Sequence, residues 1–114
     1  GLPLWVGGRS AGARGACRNF DDRQAGVVCL SFPLHPPGRP DVSRIGELAG
    51  VSGPVLVVQG ESDPFGSPKD VPGAAMAAGG AQPLVIGVPG THSFSRRADV
   101  RDSIVTSVAD FLRV

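Results

Sequence analysis

Leu4-Trp5-Val6-Gly7-Gly8-Arg9-Ser10-Ala11-Gly12-Ala13 is the stretch on which the reading of this chain turns. An apolar run ends in a Gly-x-Ser-x-Gly pentad, Gly8 to Gly12, and small residues able to begin a helix follow. Strand, sharp turn and helix, in that order, give such a pentad chemical meaning. A serine hydroxyl is a weak nucleophile, so the chain must push its oxygen into the open and set a base beside it. The turn is expected to hold Ser10 strained and exposed. Gly8 and Gly12 are both expected where a side chain would collide as strand and helix pass closely.

The bulk numbers allow a small catalytic domain. A chain of 114 residues makes one domain, and 41% hydrophobic residues supply a core. Charged residues at 18% argue against disorder. The formal charge is +1 with Arg and Asp interspersed, so no basic stripe marks a nucleic-acid binder. No apolar run approaches the roughly 20 residues of a membrane span, and no signal peptide is expected. A cytoplasmic location is expected, with Cys17 and Cys29 as reduced, packed thiols.

Four apolar runs read as strands: Leu2–Val6, Ala25–Ser31, Pro54–Gln59 and Pro83–Val88. The second and third are continuous rather than alternating, as in strands covered on both faces of a parallel sheet. Helical segments fall between them. Ser10–Phe20 carries Ala13, Ala16, Cys17 and Phe20 at helical spacing, and Asp41–Ala49 carries Val42, Ile45, Leu48 and Ala49. Ser67–Ala78 is a third helix, interrupted by Pro72 and Gly73. The last has Asp99 as cap and a stripe of Val100, Ile104, Val108, Phe111 and Leu112. Strand and helix alternate throughout, which places the chain in the α/β class with an open, mainly parallel sheet. The proline-rich loop Ser31–Pro40 follows a strand, where site-lining loops sit.

Two further signals follow later strands: Gln59-Gly60-Glu61-Ser62-Asp63-Pro64-Phe65-Gly66, and Val88-Pro89-Gly90-Thr91-His92-Ser93-Phe94. Loops at the C-terminal ends of parallel strands share one sheet edge, so Ser10, Asp63 and His92 are expected to converge there. His92 suits the base, Asp63 its orienting acid, and the backbone N–H of Ala11 an oxyanion donor. Glu61 is the other carboxylate in reach but lies closer to the strand end. Asp63, before Pro64, also fits a turn initiator. Arg9, His35 and Phe65 are candidate pocket residues. No His, Cys and Asp cluster has metal-ligand spacing, and the pentad is not a phosphate-binding pattern, so no cofactor or metal is expected.

With these residues in view, the chain resembles the C-terminal half of an α/β-hydrolase. The likeness is to the dienelactone-hydrolase-like branch that includes testis-expressed hydrolase-like proteins and a subunit of a histone-acetyltransferase complex. It is carried by Val6–Arg14, by the branch-specific Leu30–Pro40, and by Pro54–Gly66. The nucleophile, acid, base order of Ser10, Asp63 and His92 is the one found in that fold. The resemblance implies a serine hydrolase of esters or thioesters with a small-molecule substrate. It also implies strands ahead of the nucleophile strand, one of whose loops gives a second oxyanion donor. On that footing residues 1–114 form a single, incomplete domain. Leu2–Val6 becomes an open edge, Trp5 is short of cover, and a homodimer or partner chain could complete the sheet. The His loop is one residue shorter than the Gly-x-Asp-His-Ser-Phe pattern of relatives, so it must absorb that residue for His92 to reach Ser10. A non-catalytic hydrolase-like module that binds a partner is the second reading.

Overall fold

The computed structural model describes residues 4–79 and 82–113. Its strands are β1 (Trp5–Arg9), β2 (Gly26–Leu30), β3 (Val55–Gly60) and β4 (Leu84–Val88). Its helices are α1 (Ala11–Arg18), α2 (Ile45–Ala49), α3 (Asp70–Ala77) and α4 (Ala98–Leu112). The four strands form one parallel sheet in the order β1-β2-β3-β4.

Because the order never reverses, crossovers of one hand put their helices on one face. That face buries Ala13 and Cys17 of α1, Leu48 of α2 and Val71 of α3 against Val27, Cys29, Val55 and Val57. The alternate sheet residues, Leu56, Val58 and Val88, meet Val100 and Phe111 of α4 on the other face. Strand side chains alternate between faces, so one continuous apolar run feeds two cores. β3, covered on both sides, is buried at every position.

Several boundaries differ from the sequence reading. The first strand was expected to end at Val6, yet β1 runs on to Arg9, pairing Gly7, Gly8 and Arg9 with Val28, Cys29 and Leu30. Leu2 and Pro3 of that expected strand lie outside the described residues. The helix expected over Asp41–Ala49 begins only at Ile45. Its first half is drawn off by the proline-rich loop: the Arg44 N–H donates to the Leu34 carbonyl, and His35 Nδ1 bonds the Val42 carbonyl at 2.7 Å. In α3, Pro72 sits in the first turn, where an N–H has no intrahelical acceptor to lose.

At α4 the residue before the helix is Arg97, not Asp99. Asp99 falls in the first turn and pairs with Arg97 at 2.8 Å, still near the positive end of the helix dipole. Leu112, expected on the apolar stripe, is exposed. β1 is an edge strand of the described sheet. Trp5 nevertheless gains cover from α4, its ring meeting Phe111 edge to face at 5.2 Å between centroids. No helix among the described residues is long and apolar enough to cross a membrane.

Candidate active site

The end of β1 delivers Ser10 directly. Its N–H extends the ladder to the Leu30 carbonyl, and its own carbonyl accepts the first helical bond, from Arg14. Between these two commitments the backbone is forced to φ 54°, a left-handed value costly for a residue with a Cβ. The tightness of the turn explains Gly8: a Cβ there would run into the backbone of Gly12. The same collision was expected at Gly12 and is absent, since a Cβ at Gly12 would meet open space. Only one of the two pentad glycines is sterically required.

Asp63 follows β3, its side chain fully covered. One carboxylate oxygen, Oδ1, accepts the Phe65 N–H at 2.8 Å, the turn-forming use of Asp before Pro. The other, Oδ2, is 2.7 Å from His92 Nδ1. A carboxylate can only accept, so the proton of that bond lies on Nδ1 and Nε2 is left as the acceptor. Ser10 Oγ stands 2.8 Å from Nε2. The turn role and the His92 contact thus coexist in Asp63, while Glu61 is exposed on the surface.

The short His loop reaches Ser10 by winding tightly. Gly90 takes φ 115° and Phe94 φ 62°, and a Cβ on Gly90 would strike Phe94 and Ser95. Bonds from Phe94 N–H to the Thr91 carbonyl and from Ser95 N–H to the Pro89 carbonyl, each 3.0 Å, close the loop. Phe65 meets the His92 ring edge to face at 5.0 Å and limits its rotation.

Two buried polar residues not singled out in the sequence hold these loops. Ser31, at φ 65° just past β2, donates from Oγ to the His92 carbonyl at 2.6 Å. Gln59, wholly buried near the end of β3, donates from Nε2 to the Phe32 and Gly66 carbonyls and accepts the Phe32 N–H on Oε1. It joins the proline-rich loop to the Asp63 loop. Both residues close continuous apolar runs, and a polar side chain in that position was the available signal. Among the described residues, the three non-glycine positions with positive φ, Ser10, Ser31 and Phe94, all belong to this constellation.

A cleft of about 170 Å³ opens over Ser10 and His92, with Ala11 and Phe65 in its walls. Pro33 and Pro37 of the proline-rich loop wall one side, and Arg14 and Arg44 complete it. The N–H of Ala11, first in α1, has no acceptor within the helix. Phe65 lines the cleft. His35 is engaged with Val42 outside it, and Arg9 lines a neighbouring surface groove with its guanidinium on the Ser93 carbonyl. Glu47 clamps Arg14 through both oxygens and holds that guanidinium's proton more firmly than usual. Among the described residues no group of three or more His, Cys, Asp or Glu could hold a metal ion.

The arrangement is a serine hydroxyl, an imidazole with its Nε2 turned toward it, and a covered carboxylate behind. A family model described as alpha/beta hydrolase domain matches residues 1–111. The chain belongs to that family. No solved structure matches it. Its four-stranded parallel sheet and flanking helices are a partial alpha/beta hydrolase fold, and Ser10, Asp63 and His92 follow three strands of that hydrolase domain.

Proposed function

We propose that this hydrolase domain is a serine hydrolase cleaving carboxylic esters or thioesters, with Ser10 as nucleophile, His92 as base and Asp63 as its orienting acid. The unbroken bond series Ser10 Oγ to His92 Nε2 at 2.8 Å and His92 Nδ1 to Asp63 Oδ2 at 2.7 Å carries the reading. As Oγ adds to the substrate carbonyl carbon, its proton passes to Nε2 and the carbonyl electrons move onto oxygen. The Ala11 N–H donates to that oxyanion. Collapse breaks the bond to the alcohol or thiol, which leaves with the proton from Nε2. Water then repeats the sequence, releasing the carboxylic acid and restoring Ser10. Asp63 stays ionised, fixing the tautomer and stabilising the imidazolium.

Turnover of a 4-nitrophenyl ester by the purified chain, abolished in Ser10→Ala, tests this. Equal turnover by the variant would refute it. Within the family, the Leu30–Pro40 segment favours the dienelactone-hydrolase-like branch, and two free buried thiols favour a cytoplasmic setting.

A second reading rests on β1, which among the described residues is paired on one side only. Its open backbone edge can add a strand from another copy, making a hydrolase-like module that binds a partner. Sedimentation that stays monomeric at every concentration would count against it.

A further inference from the structure

The cleft over Ser10 carries a charge that the acyl-transfer chemistry does not use. Two arginines reach it, and they differ. Arg14 is neutralised by Glu47, with bonds of 2.9 and 3.0 Å to the two carboxylate oxygens. Arg18 draws on the same carboxylate at 3.9 Å. Arg44 has no carboxylate within ion-pair distance among the described residues, and its one side-chain bond is a long 3.3 Å contact to the Pro33 carbonyl. Among the described residues, no Asp or Glu lines the cleft. The nearest carboxylate of the constellation, Asp63, is fully covered behind His92 and occupied by it and the Phe65 N–H.

Arg44 is half-buried, and the surrounding wall is largely Pro33, Pro37 and Phe65. A guanidinium partly withdrawn from water beside apolar walls binds an anion more strongly than one in bulk solvent, and its planar fork matches a carboxylate. The small volume suits a short chain rather than a long fatty one. The acyl group is the part held through the covalent intermediate, so a charge that selects among substrates acts most usefully there.

Resting on the hydrolase reading, we propose that the cleft selects esters or thioesters whose short acyl group ends in a carboxylate, bound by Arg44. The bonds made and broken are those of the acyl transfer above. Arg44 is a specificity residue, and its carboxylate partner neither gains nor loses a proton.

The test compares kcat/KM for mono-4-nitrophenyl adipate with that for 4-nitrophenyl hexanoate, acyl groups of similar length that differ in terminal charge. A charge-assisted pair predicts a preference for the adipate of roughly tenfold to a hundredfold in the wild-type chain. In Arg44→Gln that ratio should fall toward one, and Arg44→Lys should keep part of it. Both rates are read on the same sample, so any loss of folded protein cancels. Ser10-dependent hexanoate turnover with no adipate preference, or a ratio unchanged in Arg44→Gln, overturns the proposal and leaves the hydrolase reading standing. Failure to turn over either ester overturns both.

Discussion

Ser31 Oγ donates a 2.6 Å hydrogen bond to the carbonyl oxygen of His92, tying the end of β2 to the loop after β4. The two residues are 61 apart in sequence, and the contact fixes the backbone that carries the imidazole. Ser31 accepts a left-handed φ to make it.

Ser31→Ala should therefore lower the reactivity of Ser10 more than it lowers stability. Loss of one hydrogen bond costs about 1 kcal/mol of folding free energy. Small misplacement of a catalytic group costs far more in rate, so a fall of about tenfold in ester turnover is expected. Turnover is to be read beside a urea unfolding curve, and wild-type turnover in the variant would remove the positioning role.

Gln59→Leu should destabilise the fold by about 2–5 kcal/mol. The leucine side chain is shorter and apolar, and it strands three backbone groups, the Phe32 N–H and the Phe32 and Gly66 carbonyls, away from water. Chemical denaturation of the two proteins measures the difference. A change below about 0.5 kcal/mol would show that these groups find other partners.

The two pentad glycines should respond in opposite directions. Gly8→Ala drives a methyl into the backbone of Gly12, so a large loss of thermal stability or of soluble protein is expected. Gly12→Ala places a methyl in open space on a helix and should be neutral or stabilising, by up to about 1 kcal/mol. Matching melting temperatures for the two variants would contradict the packing described.

Cys17 and Cys29 should resist alkylation in the folded chain. Both are buried and free, with Sγ atoms 3.6 Å apart, against about 2.05 Å in a disulfide. The hydrogen bond to Cys17, then burial, pushes the Cys29 thiol well above its ordinary range, while the same bond lowers the Cys17 thiol, so Cys17 is shielded by its burial. Iodoacetamide is expected to add to neither cysteine natively and to both in denaturant. Rapid native labelling would mean that the core opens.

The sheet was legible because Val27 to Leu30 and Val55 to Val58 are unbroken apolar runs that a doubly covered parallel strand uses well. The convergence of Ser10, Asp63 and His92 followed from each lying just past a strand end. Less visible was the extension of β1 through Gly7 and Gly8, which have weak strand propensity and are held there by pairing with β2. The late start of α2 was hidden for a similar reason: local spacing favoured a helix from Asp41, but bonds from the proline-rich loop captured that segment. Ser31 with His92, Gln59 with Phe32 and Arg14 with Glu47 pair across 27 to 61 residues, so no local pattern announces them.

The central claim is that Ser10 is activated by His92 in this chain. Intact-mass detection of a fluorophosphonate adduct, wild type beside Ser10→Ala, tests it most directly. One adduct on the wild type and none on the variant is the predicted result. No adduct on wild-type protein that circular dichroism shows to be folded would contradict it.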